Sequence, residues 1–324
     1  MTTKNKLRRA AKSTEPKKKV RSAQGIKRRA APRLMPEPAR LQAALRRSIE
    51  RDIAARVKAH QREVAQIRVS VRRGEQPPLT LLAHGDSWFN YPLNGNSLSL
   101  TDTDIIAHLK HMGSPPPKIL NISHYGDATT DEMGLIKQER LIAALRDPNN
   151  WLTGKPDAIL FSGGGDDIAG DQFCIYLDYK NSGSQGLDTT RFAGRLASIQ
   201  ASYLDLFLFR DQYASHVPIF GHCYDYAHPM QAHPPCVGPW MLPSLTFTGW
   251  NVQEGTQIIH DALDRFRAML SVMAASGNDF TMVATQGTLA AGDWANELHP
   301  YPPGFQKLAK RFLTALQQRF PGRL

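Results

Sequence analysis

The 324-residue chain contains only three cysteines, Cys174, Cys223 and Cys236. That is too few for a disulfide framework at this length, and reduced thiols are expected. No stretch approaches the roughly 20 consecutive apolar residues of a membrane-spanning helix. The N-terminus, MTTKNKLRRAAKSTEPKKKVR, is basic but has no apolar segment behind it, and a secretory signal needs one. A cytoplasmic location is therefore expected, with non-standard export left open. Acidic residues are scarce at the same end. Residues 1–33 hold 13 Lys and Arg against the single acid Glu15, whereas the remaining residues hold 27 bases and 28 acids. The net charge of +11 and the pI of 9.7 belong to this tail and not to the rest of the chain.

With almost no large apolar residues, residues 1–35 read as a disordered basic tail. Charge alone would let residues 4–33 contact nucleic acid or anionic membrane without sequence specificity. A purely solubilising role is the alternative. Residues 36–76 form an expected helical extension, because Leu41, Leu45, Ile49, Ile53, Val57, Val64, Ile67 and Val71 recur on one helical stripe. Gly74 and Pro77-Pro78 end it.

Residues 77–324 read as one domain in which strands alternate with helices. Expected strands are Leu79–His84, Lys118–Ser123, Ala158–Ser162, Val217–His222 and Phe280–Ala284, short apolar runs of the kind buried on both faces of a parallel sheet. Helical patterns cover Thr103–Met112, Asp131–Leu145, Thr190–Ser215, Gly255–Ala275 and Pro303–Arg319. Right-handed crossovers then give an α/β fold, a three-layer α/β/α sandwich on a five-stranded parallel sheet. Reactive groups belong beyond the carboxyl ends of its strands.

Four short blocks occupy such positions. The first expected strand runs into His84-Gly85-Asp86-Ser87-Trp88-Phe89, with Ser87 on an exposed turn. The second runs into Ser123-His124-Tyr125-Gly126-Asp127, and the third into Ser162-Gly163-Gly164-Gly165-Asp166-Asp167. Glycines there allow backbone N–H groups to approach a ligand closely. Near the C-terminus, Asp293-Trp294-Ala295-Asn296-Glu297-Leu298-His299-Pro300 places a histidine on a loop. Between the last two blocks, His222, Cys223, His228, His233 and Cys236 crowd one segment. Their spacings match no zinc motif with a tight Cys-x-x-Cys half, so no metal is expected. The segment from Tyr224 to Trp250, rich in Pro and aromatics, reads as a long loop over the site. With Trp88, Phe89 and Tyr91 it could line an acyl or ring-shaped pocket, or form a small apolar cluster of its own.

In this order the four blocks resemble those of the SGNH (GDSL-type) hydrolases, over roughly residues 79–320. The resemblance implies a flavodoxin-like sheet and a cofactor-free serine hydrolase of carboxylic esters. Ser87 would be the nucleophile, His299 its base and Asn296 the residue orienting the imidazole. Ser87, Gly126 and Asp166 would form the oxyanion hole. The substrate would be a small-molecule, lipid or glycan ester. Two positions depart from the family pattern: Asp166 stands where the family carries an Asn donor, and Asn296 where it carries the triad Asp. Asp293 or Glu297 could supply the missing acid. The departures also admit a second function, binding of an acylated or glycan ligand with weak or lost catalysis.

Overall fold

The computed structural model describes residues 37–92, 103–231 and 238–324. The basic tail, with the anion-contacting stretch 4–33, and His233 and Cys236 lie outside the described residues. The chain divides into residues 1–44 and residues 45–324.

Five strands, β1 Thr80–Gly85, β2 Lys118–Asn121, β3 Ala158–Ser162, β4 Ile219–His222 and β5 Phe280–Val283, form one parallel sheet in the order β2-β1-β3-β4-β5. The expected strands lie within two residues of these bounds. The order is that of flavodoxin-like sheets, and it reverses direction between β1 and β3. Chain segments leaving the ends of these two strands therefore diverge and open a crevice between them. The Ser87 turn follows β1 and the triple glycine follows β3.

The helices, in chain order, are α1 Glu37–Val71, α2 Ile105–Leu109, α3 Thr129–Glu132, α4 Leu135–Arg146, α5 Gly165–Ile168, α6 Thr189–Tyr213, α7 Leu242–Phe247, α8 Val252–Ala275 and α9 Pro302–Arg319. Neighbouring residues of β4 show that helices cover both sheet faces. A Cβ on Gly221 would lie 3.4 Å from Tyr203 of α6, whereas the His222 ring lies 5.7 Å from Phe312 of α9. Consecutive strand residues point to opposite faces. Both layers are aromatic at the sheet, with Phe161 edge-on to Tyr203 on one side and Phe89 edge-on to Phe312 on the other.

Two expected helices are altered. The pattern over Asp131–Leu145 is split into α3 and α4 because Gly134 adopts an extended conformation, with ψ 152°. The pattern over Thr103–Met112 shortens to α2, which starts where the Asp104 side chain accepts the Ala107 N–H at 2.7 Å. The Tyr224–Trp250 segment is not all loop, since it contains α7. None of the helices, among the described residues, is long and apolar enough to cross a membrane.

From Ile49 onward α1 packs against the sheet domain, with Ile53 and Val64 buried, while Leu45 of the expected stripe is exposed. Polar contacts seat it as well. His60 Nε2 lies 2.8 Å from the Asn150 carbonyl, and Arg68 donates to the carbonyls of Pro148 and Trp151. Arg56 has a different task. Strand β2 is an edge strand, and an unpaired row of backbone groups there invites pairing with another chain. The Arg56 guanidinium donates to the outward carbonyls of Asn121 at 3.0 Å and Ser123 at 3.2 Å.

Arg56→Ala is expected to destabilise the domain by about 1.5–3 kcal/mol, the usual effect of losing hydrogen bonds from a charged donor. Urea unfolding of the parent and variant measures this, and an unchanged midpoint would show that water replaces the guanidinium without loss.

Candidate active site

The site begins with a close approach between β1 and β3. Gly85 has φ +149°, and a Cβ there would lie 2.3 Å from the Ser162 carbonyl oxygen. Only glycine fits, for reasons of space and of backbone conformation. Immediately afterwards the Asp86 N–H donates to the Ser162 carbonyl at 3.0 Å, and the chain turns through Ser87, Trp88 and Phe89. Gly164, after β3, also takes a positive φ, +117°, and a Cβ on it would collide with Phe266 of α8.

Ser87 Oγ lies 2.7 Å from His299 Nε2, across 212 residues of sequence. His299 is held by Asn296, whose Oδ1 accepts the His299 backbone N–H at 2.8 Å and the Leu298 N–H at 3.0 Å, and lies 3.2 Å from His299 Nδ1. An amide oxygen beside Nδ1 selects the tautomer with the proton on Nδ1, leaving the Nε2 lone pair to accept the Ser87 hydroxyl. Tyr91 packs on the imidazole, with ring centroids 4.4 Å apart, and Trp240 meets it edge-on at 5.7 Å. The Ser87 turn is tied to the histidine loop by the Trp88 indole N–H, which donates to the Leu298 carbonyl. Burial lowers the His299 pKa to about 3, so the ring is neutral at physiological pH.

Ser87, Trp88, Leu298 and His299 border a cavity of about 40 Å³, with Ile168, Ala169, Met241, Ile259 and Leu263 on its apolar side. Ser87 is not an exposed turn residue as expected but is 8% accessible, within this cavity. Asp166 lines the same cavity, and its Oδ2 is shut off from solvent with no hydrogen-bond partner among the described residues. Burial, reinforced by the nearby charges of Asp86 and Asp167, raises the Asp166 pKa well above the carboxylate range. Gly126 does not line the cavity. It sits on an exposed turn beside Tyr125, with nothing within 4 Å of where a Cβ would be. Of the expected aromatic lining, Trp88 borders the cavity. Phe89 is instead core, and Phe247 is exposed.

Neither alternative for the missing acid reaches His299. Asp293 is paired with Lys307 and accepts the Ala290 N–H. Glu297 is buried and accepts backbone N–H groups of Met230, Trp240, Met241 and Leu242. The His222 ring is engaged by protein groups at both nitrogens. Its Nδ1 accepts the Tyr224 N–H, which leaves Nε2–H to donate to Ser162 Oγ at 2.8 Å.

That last bond belongs to a network that sequence reasoning missed. Ser162 Oγ donates to Asp86 Oδ1 at 2.7 Å, the Trp88 N–H to the same oxygen at 2.9 Å, and the Tyr224 hydroxyl to Oδ2. The Asp86 carboxylate thus gathers β1, β3 and the segment after β4 beneath Ser87. Burial nevertheless lifts its pKa to about 6. The one local signal is Tyr224 itself, a non-glycine residue held at φ +56°, and such conformations concentrate at functional sites. Glu132 was missed as well. It is fully buried under Gly163, with both carboxyl oxygens unpartnered among the described residues.

No protein-family model matches the sequence, and no curated protein sequence does. Among solved structures the chain is similar to a lipase from a goat rumen metagenome, at 13% identity and a TM-score of 0.49, over 73% of this chain and 97% of that one. It is similar to an extracellular lipase from Streptomyces rimosus at 15% identity and TM-score 0.45, covering 71% and 97%. A carbohydrate esterase of family 3 from Talaromyces cellulolyticus is similar at 12% and 0.41, covering 74% and 97%.

The buried acids make a pH-dependent contribution to stability. Burial, with the charge of Asp86, raises the Glu132 pKa well above its ordinary value. The folded protein therefore keeps a proton that the unfolded chain releases, and stability falls as pH rises from the ordinary glutamate range through the raised value. Glu132→Gln is expected to stabilise more at pH 8 than at pH 4, as read from urea unfolding. An equal effect at both would show that Glu132 ionises freely in the folded state.

Proposed function

We propose that this chain is a serine hydrolase that cleaves carboxylic esters through an acyl-enzyme. The carrying observation is the 2.7 Å contact between Ser87 Oγ and His299 Nε2, with the Asn296 carbonyl oxygen on the far side of the ring. A hydroxyl paired with a base that is itself oriented by a third group is the geometry of an activated nucleophile. His299 removes the proton as Ser87 Oγ attacks the ester carbonyl, and returns it to the departing alcohol. Water then repeats the sequence on the acyl-enzyme.

The oxyanion of each tetrahedral intermediate needs donors fixed in advance. With Gly126 outside the cavity wall, this reading gives that role to the Ser87 backbone N–H and the Asp166 carboxyl. An ionised Asp166 would repel the oxyanion, but a protonated one donates a hydrogen bond as the amide of an asparagine does. Burial without a partner favours the protonated form. Asp166 thus serves as a donor over the pH range where it stays neutral, and opposes catalysis where it does not. Among the described residues the cavity lining carries no Lys or Arg, so the substrate this reading favours is a neutral ester and not a phosphoester.

One observation favours a second reading, ligand binding with feeble turnover. Asn296 cannot stabilise an imidazolium as a carboxylate would, and burial already depresses the basicity of His299. Labelling by a fluorophosphonate probe separates the two, since it requires an activated Ser87 and no particular ester.

Ser87→Ala is expected to abolish both fluorophosphonate labelling and turnover of short-chain p-nitrophenyl esters, with the melting temperature nearly unchanged. A variant retaining more than about a tenth of the parent rate would remove Ser87 from the mechanism.

The Asp166 assignment gives a pH profile. Activity should fall as pH rises through the elevated Asp166 pKa, because the donor becomes a repelling charge. Asp166→Asn should keep near-parent kcat/KM at neutral pH and remove that alkaline fall, whereas Asp166→Ala should lower kcat by about 10²–10³. A steep loss in Asp166→Asn at neutral pH would mean that Asp166 has a duty other than donating to the oxyanion.

A further inference from the structure

Glu297 follows directly on Asn296, whose amide oxygen lies beside the imidazole, yet its own carboxylate is engaged elsewhere. It is 1% accessible, and its two carboxyl oxygens share four backbone N–H donors. Oε1 takes the backbone N–H groups of Met230 and Leu242, at 3.2 and 2.9 Å. Oε2 takes those of Trp240 and Met241, the latter at 2.8 Å. A buried carboxylate that accepts several backbone N–H bonds is a strong local anchor, because charge-assisted bonds are about twice as strong as neutral ones. What it anchors is part of the cavity. Met241 is buried and lines it together with Ser87 and His299, and Trp240 packs edge-on against the His299 ring.

We infer that Glu297 is a positioning residue that sets selectivity for the acyl group, by holding the Trp240–Leu242 backbone so that Met241 forms a fixed wall of the apolar cavity. The inference rests on the ester-hydrolase reading and deepens it. The acyl group such a site admits is neutral and apolar. Ile168, Ala169, Ile259 and Leu263 offer it hydrocarbon contacts, and Met241 limits how far it extends. A methionine is flexible and adapts to what it packs against. Its backbone must therefore be pinned if the wall is to discriminate chain length, and the four N–H groups on Glu297 do the pinning. The loop that carries Glu297 also carries His299, whose carbonyl accepts the N–H groups of Ala295 and Asn296, so the base keeps a support of its own when the wall is loosened.

The test compares kcat/KM for p-nitrophenyl acetate and hexanoate in the parent, Glu297→Gln, Met241→Ala and the double variant, alongside the rate at which a small phosphonofluoridate labels Ser87. In either orientation a glutamine keeps one pair of N–H bonds and turns its own amide hydrogens toward the other pair. The expected result is a change in the hexanoate-to-acetate ratio of at least about fivefold in Glu297→Gln, carried by KM for the longer ester, within the range a few methylenes are worth. Labelling by the small probe should stay within about twofold, a readout that general structural damage would not spare. Met241→Ala should raise the ratio, and the double variant should add little to it, because both changes act on one wall. If Glu297→Gln does not fold, Glu297→Asp, which draws the carboxylate back by one methylene, reads the same ratio. A labelled, folded variant with an unchanged ratio, or effects of the two changes that simply add, overturns the assignment to Glu297 alone. A parent that neither takes the label nor turns over either ester overturns the hydrolase reading, and this inference with it.

Discussion

At Gly85 the backbone of strand β1 passes too near Ser162 of strand β3 to admit a side chain, and the rest of the site is arranged around that contact. A side chain at position 85 would overlap the Ser162 backbone. Its absence lets the two strands stay paired to their ends, and it lets Asp86 turn its carboxylate back toward the Ser162 hydroxyl. From that carboxylate the Trp88 N–H and the Tyr224 hydroxyl take their positions, and through Trp88 the loop bearing His299 takes its own. The sheet order puts this contact at the point where chain segments diverge, so space opens above it. One strand register thus determines both where the crevice is and which hydroxyl stands in it.

Electrostatically the site is governed by burial. Asp86, Glu132, Asp166 and Asp167 crowd together beneath and beside Ser87, and burial raises the pKa of each. His84, His222 and His299 are pushed the other way, to about 4, 3 and 3. Both trends have one cause, since desolvation penalises whichever form is charged. Their effects on stability oppose each other in the acidic range. Buried histidines lose stability as pH falls below their unfolded value, because the unfolded chain binds protons the folded one refuses. Carboxyls with raised pKa values do the reverse. In a site this dry, a neutral Asp166 and a neutral Asn296 are consistent with each other. Each supplies a dipole where a carboxylate would add a second unpaired charge.

The C-terminal loop concentrates three duties in four residues. Asn296 orients the imidazole, His299 faces the hydroxyl, and Glu297 anchors the segment whose Met241 borders the cavity. The chain reverses tightly here, with Trp294 bridged to Pro300, and successive side chains consequently face different partners. That division explains why Glu297, adjacent to the orienting residue, is no substitute for a triad acid: its carboxylate is committed to backbone donors on the opposite side.

Much of the architecture was legible in the sequence because it depends on local pattern. Short apolar runs such as Ala158–Ser162 can be buried on both faces only as parallel strands, and the 3.6-residue stripe of Val252–Ala275 leaves one face to cover them. The split at Gly134 was not legible, because a glycine is tolerated inside a helical pattern and only its neighbours decide whether it breaks. The proximity of Ser87, Asn296 and His299 was expected from the resemblance of the four blocks to those of the SGNH hydrolases, because topology alone carries the strand-end blocks to one edge and not the C-terminal loop. The partners of Asp86 and Glu297 could not. Tyr224 lies 138 residues from Asp86, and Met241 lies 56 from Glu297. Which buried carboxyl finds which donor is decided by the paths of loops between strands, and loops carry no periodic signal. Sequence alone therefore determined the layers, the strand set and the edge at which chemistry would gather. Tertiary structure alone decided which acids are neutral, which are anchors and which residue forms the cavity wall, because burial and partner choice exist only once distant segments have been packed together.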